Sequence, residues 1–78
     1  GKVMTTLKLI SKLEKEHKQL NKKCCRLYKF LESDKFTKLD TNMQHWMLRQ
    51  NKHMTGYASC LAIRIRLLKH KEQEDIDG

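Results

Sequence analysis

The chain has no proline, and its three glycines stand at positions 1, 56 and 78. Proline is the residue that removes a backbone donor and breaks a helix, so between about Thr6 and His70 almost nothing forbids continuous helix. Cysteine is scarce and badly placed for cross-linking: Cys24 and Cys25 are adjacent and Cys60 is alone. An odd, unpaired set of this kind points to reduced thiols in a cytosolic compartment rather than to a disulfide framework. No apolar run is long enough to cross a bilayer, and no secretory signal layout is present, so the expectation is a soluble intracellular protein with no membrane partner. Met4 reads as the natural start, with Gly1, Lys2 and Val3 added ahead of it, and the closing EQEDIDG reads as a frayed acidic tail.

What is present is charge, mostly of one sign. Lys and Arg number 17 against 9 Asp and Glu, a net charge of +8, which favours polyanionic partners: nucleic acid, nucleotides or an acidic protein face. At 78 residues the chain is one domain. A chain of that size buries only about 60% of its unfolded surface, so its core needs a supplement. With disulfides set aside, oligomerisation is the expected one.

The apolar residues follow a heptad rhythm. Thr6, Ile10, Leu13, His17, Leu20, Cys24, Leu27 and Leu31 alternate spacings of four and three, the seam of a helix laid along a partner. ESDKFTKLDTN, residues 32 to 42, interrupts it with residues that prefer caps and turns, and Asp40 or Thr41 suits the N-cap of a following helix. Met47, Asn51, Met54, Ala58, Leu61, Ile65 and Leu68 then resume the spacing. The predicted fold is all-α: an antiparallel two-helix hairpin, coiled-coil-like, with helices over about 6–32 and 41–71, a loop over 33–40 and a tail over 72–78.

Folding back at about residue 37 sets an expected register. Leu27 then faces Met47, Leu20 faces Met54 and Leu13 faces Leu61. Two polar layers fall into step, Cys24 with Asn51 and His17 with Tyr57, and buried polar groups need such partners. Gly56 falls opposite His17 in a run of small residues, where the helices are expected to approach closely. A second apolar stripe remains outside the seam: Trp46, Cys60 and Leu67, with Ile63 beside them. A tryptophan on an outward stripe predicts a subunit interface, and hence a helical bundle built as a homodimer or higher oligomer.

Catalytic chemistry has little to stand on. There is no CxxC or HExxH, no paired carboxylates, no Ser/His/Asp set and no glycine-rich phosphate loop, so the expectation is a non-enzyme without metal or cofactor. The positive signal is basic. Lys8, Lys12, Lys15, Lys22, Arg26 and Lys29 keep a four and three rhythm opposite the first seam, with Gln19 in the one vacant slot, either following phosphates or forming the solvated back of a bundle. Arg49, Arg64 and Arg66 lie beside the second seam, where a guanidinium fork either grips an anion between subunits or pairs with Glu14, Glu16 or Glu32. Lys22, Arg26, Lys29, Arg49, Arg64 and Arg66 are therefore the candidate anion or partner-binding residues.

Phe30-Leu31-x-Ser33-x-x-Phe36-x-x-Leu39, then Met47-Leu48-Arg49-Gln50, Met54, Tyr57, Leu61 and Arg64-Ile65 resemble a widespread family of short bacteriophage helical-hairpin proteins related to one in crAss-like phages. The resemblance covers about residues 17 to 68. It implies a phage accessory protein acting in the host cytoplasm, where such proteins bind a host component or sequester a defence molecule. The function expected is non-enzymatic anti-defence, by binding an acidic host protein or sequestering a nucleotide-type signal. Nucleic-acid binding through the ridge of the first helix is the alternative.

Overall fold

The computed structural model describes the backbone of residues 2–77 and the side chains of residues 5–74. Three helices follow in order, α1 (Lys2–Leu31), α2 (Asp34–Thr37) and α3 (Thr41–Asp77), and no strand occurs among the described residues. The two long helices pack antiparallel into a rod of 57 × 15 × 14 Å. Among the described residues no helix is long and apolar enough to cross a membrane.

The heptad rhythm is what the rod buries. Ile10, Leu13 and Leu20 of α1 and Ala58, Leu61 and Ile65 of α3 form the core, with Cys24, Met54 and Leu68 packed against it. Every one of these lies on the seam expected from the four and three spacing. Leu61 is wholly buried, and it sits midway between the flanking core residues Ala58 and Ile65. The hydrophobic effect at these six positions supplies most of the force that keeps α1 against α3.

The turn is more ordered than a plain loop. Ser33 ends α1 by donating its hydroxyl to the Phe30 carbonyl at 2.6 Å, and Asp34–Thr37 then make one helical turn. Phe30 and Phe36 meet edge to face with centroids 6.4 Å apart. Asp40 caps α3: its Oδ1 accepts from the Met43 amide at 2.8 Å, satisfying one of the donors a helix start leaves open. Gln44 ties the turn to α3 by donating Nε2 to the carbonyls of Phe36 and Leu39, both at 3.0 Å.

That helical turn moves the register. His17 shares a groove with Ala62 and Ile65 rather than with Tyr57, and Glu14 reaches Lys69 at 3.1 Å. The displacement from a fold-back at residue 37 is about one turn of helix. The chain reverses through the helical turn Asp34–Thr37 and the Asp40 cap rather than at a single residue, and Gln44 ties that turn to α3. Two expectations are corrected as a result. Tyr57 is 48% exposed and makes no seam layer with His17, and a Cβ built on Gly56 would meet nothing within 4 Å. Of the small-residue run only Ala58 enters the core, whereas Ser59 and Cys60 are exposed.

The stretch read as an acidic tail continues α3 as far as Asp77, because Glu72 keeps the seam spacing beyond Leu68 and His70 pairs with Glu74 one turn on, at 3.2 Å. Glu72 is buried, and among the described residues neither of its carboxylate oxygens has a hydrogen-bond partner. Such a carboxylate destabilises the open end of the hairpin.

Leu61→Ala is expected to destabilise the fold by about 2–5 kcal/mol, the range for a large-to-small change in a core that cannot collapse. Asp40→Ala is expected to cost about 1 kcal/mol through the lost cap. Urea denaturation followed by circular dichroism at 222 nm reads both, and the order of the two effects is the check.

Candidate functional site

Where the seam turns polar, the two long helices leave a groove. Leucine gives way to Cys24 on α1 and methionine to Asn51 on α3, and these smaller side chains open a recess of about 390 Å³. Cys24, Cys25, Tyr28 and Lys29 line it from α1, and Asn51 and Thr55 from α3. That volume is within the range of small-molecule sites, about 300–1,000 Å³, whose walls are mostly apolar with a few placed polar groups. The structure thus brings Cys24 and Asn51 to one recess.

A second depression, of about 580 Å³, lies on α1 alone and is lined by His17, Lys18, Asn21, Lys22, Cys25 and Arg26. Being built from one helix face, it encloses less than the interhelical groove. Cys25 lines both, so Lys22 and Arg26 form a basic shoulder to the groove that holds Lys29.

Tyr28 supplies the groove with an aromatic face, and the side chain is 58% exposed. Its phenol is held above the ordinary value of 10.0, first by a hydrogen bond to Glu32 one turn along and then by the charge of that carboxylate. The O–H donates and the carboxylate accepts, which fixes the ring by its tip and leaves its face open. The Thr55 hydroxyl donates to the Lys52 carbonyl at 2.9 Å, so its oxygen is left to accept. An open ring face, an ammonium group, an amide and a hydroxyl oxygen together suit a small, flat, anionic ligand.

The remaining candidate residues do not converge on this groove within one chain. Arg49 lies over the Trp46 ring, its guanidinium carbon 5.7 Å from the centroid, and His45 meets the same ring edge-on at 5.2 Å. Arg64 and Arg66 are exposed farther along α3. Among the described residues no salt bridge joins the arginines to Glu14, Glu16 or Glu32: Glu14 pairs with Lys69, and Glu32 with Tyr28. Trp46, Cys60, Ile63 and Leu67 are exposed on the outward side of α3. All three cysteines are free thiols.

Three groove residues were not among the candidates read from the sequence: Cys25, which adjoins Cys24, and Tyr28 and Thr55. A signal for each existed, since Tyr28 follows Cys24 by four residues and Thr55 follows Asn51 by four, which places each one turn along from a polar seam position.

Glu32→Gln is expected to return the Tyr28 phenol toward its ordinary value, read as tyrosinate absorbance near 295 nm against pH. The sign follows from the raised value. The contribution of the Tyr28–Glu32 hydrogen bond is complete below the unfolded tyrosine range and is lost as pH rises through the folded pKa. A titration of Glu32→Gln that overlays the parent curve rules the bond out as the cause.

No curated protein and no solved structure matches the chain. A family model described as Sequestin matches residues 7–67, from early in α1 through the turn to late in α3, and so takes in both halves of the seam and the whole groove. The chain belongs to the Sequestin family.

Proposed function

We propose that this chain is a non-enzymatic bacteriophage accessory protein that counteracts host defence by sequestering a nucleotide-type signal in the host cytoplasm, acting as a homo-oligomer. The observation that carries the proposal is the interhelical groove, where the Tyr28 ring and the Lys29 ammonium stand beside Asn51 and Thr55. A nucleotide offers a base to stack on such a ring and phosphates for Lys29, Lys22 and Arg26 to neutralise. The family name supports a sequestering role, and the net charge of +8 favours an anionic cargo. Sequestration asks only for affinity, which suits a groove with binding groups and no assembled nucleophile or general base. An acidic host protein is the other target that the basic shoulder suits.

Titration calorimetry against mononucleotides, dinucleotides and cyclic nucleotides tests this. One class is expected to bind, with affinity falling at least tenfold in Tyr28→Ala and in Lys29→Ala, and heat denaturation of the complex is expected to release the ligand intact. Release of a cleaved product overturns the non-enzymatic role. If no nucleotide binds while an acidic host protein co-purifies from infected cells, the cargo is that protein.

Nucleic-acid binding is favoured by a separate observation: every basic residue from Lys8 to Lys29 on α1 is exposed. A ridge of this kind follows a phosphate backbone, and its affinity falls steeply with salt. Gel shifts of DNA and RNA at two salt concentrations decide it. A shift lost with salt, and weakened by substituting Lys22 and Arg26, supports this second role, whereas no shift in low salt removes it.

A further inference from the structure

The two walls of the groove differ in chemistry. From α1 come a ring, two thiols and an ammonium group, on Tyr28, Cys24, Cys25 and Lys29; from α3 come Asn51 and Thr55, both neutral and both polar. Those two stand one turn apart on the same face of α3, about 6 Å along its axis, so that one flat molecule reaches both.

Asn51 is half-buried, and its amide makes no hydrogen bond among the described residues. Gln44 and Gln50 of the same helix use theirs inside the chain, on the Phe36 and Leu39 carbonyls and on the Met54 sulfur. A half-buried amide without a partner weakens a seam, and a methionine like Met47 or Met54 on either side of it serves the packing better. The donor and the acceptor of Asn51 are open to whatever enters the groove. Thr55 adds an acceptor, because its hydroxyl proton is held by the Lys52 carbonyl at 2.9 Å while its lone pairs remain.

The α3 wall thus presents one donor and two acceptors. An amide turns over readily, so Asn51 by itself takes either order of groups; Thr55 removes that freedom, because it accepts and does not donate. What matches is a base edge carrying one acceptor beside two N–H bonds. Adenine and cytosine offer it with a ring nitrogen and the two hydrogens of the amino group, and guanine with its carbonyl, its ring N–H and its amino group. Uracil has a single N–H between two carbonyls. Hypoxanthine, which is guanine without the amino group, is one N–H short. With either of these the Thr55 oxygen is left facing a carbonyl or nothing.

We propose that Asn51 and Thr55 are the specificity-determining pair of the groove, and that they select nucleotides whose base carries an exocyclic amino group. This rests on the nucleotide reading above and adds the feature of the base that is read. The base lies on the Tyr28 ring with its edge toward α3, and its phosphates run to Lys29 and the basic shoulder of α1.

Calorimetry of the full chain against adenine, guanine, hypoxanthine and uracil nucleotides, each as mononucleotide, dinucleotide and cyclic nucleotide, tests it. Guanine nucleotides are expected to bind about tenfold tighter than hypoxanthine nucleotides, which differ from them by the amino group alone, and adenine to outrank uracil by as much. Thr55→Val keeps the branched shape and loses the oxygen. It is expected to bring guanine down to the level of hypoxanthine and to leave hypoxanthine within about twofold, a change of selectivity that a merely structural role does not produce. Asn51→Met is expected to weaken binding of all four while raising the resistance of the hairpin to urea, so that lost binding is not lost fold. Equal affinity for the four bases, or a Thr55→Val effect that falls on all four alike, overturns the selectivity and leaves the nucleotide reading standing. If none of the nucleotides binds, both fall.

Discussion

Six side chains hold this molecule together: Ile10, Leu13 and Leu20 against Ala58, Leu61 and Ile65. All else depends on that narrow seam. A two-helix rod has no second layer to cover its flanks, so the seam fixes the distance and rotation of α1 against α3, and everything off it is left at the surface. The basic shoulder and the outward stripe of α3 are positions the seam does not use, and the groove lies where the seam turns polar.

The groove follows from where the seam weakens. Cys24 is smaller than the leucines before and after it on the seam, and Asn51 more polar than Met47 and Met54, and a seam interrupted there cannot close. Stability is given up at that level for a recess with an aromatic wall and a cation. The helical turn at Asp34–Thr37 matters as much, since it sets the register that brings Asn51 and Thr55 to Cys24 and Tyr28. Turn and seam together position the site, and Cys24 alone of the site also packs against the core.

Charge is partitioned in the same way. Lysines crowd the outer face of α1, with its long, solvated stems, while α3 turns tryptophan, isoleucine and leucine outward. A rod with one wet side and one apolar side suits membership in a larger assembly, and it keeps an anion-attracting surface open whichever side is covered. The pairing of Glu14 with Lys69 and of Glu32 with Tyr28 leaves the cations of α1 from Lys18 to Lys29 free of salt bridges among the described residues.

Much of this was legible in the amino-acid sequence. The absence of proline and the four and three spacing determined two long helices and their buried faces, because a helix repeats every 3.6 residues whatever surrounds it. Asp40 as the cap followed from local chemistry, and the six core residues all lie on the expected seam. Register was decided only in three dimensions, because a sliding hairpin keeps apolar residues facing one another at every heptad step and the length and shape of the turn set the offset. With register went the partner of His17, the exposure of Tyr57 and Gly56, and the meeting of Tyr28 with Thr55 across the helices. Spacing says which residues share a face; only the folded turn says which residues stand opposite.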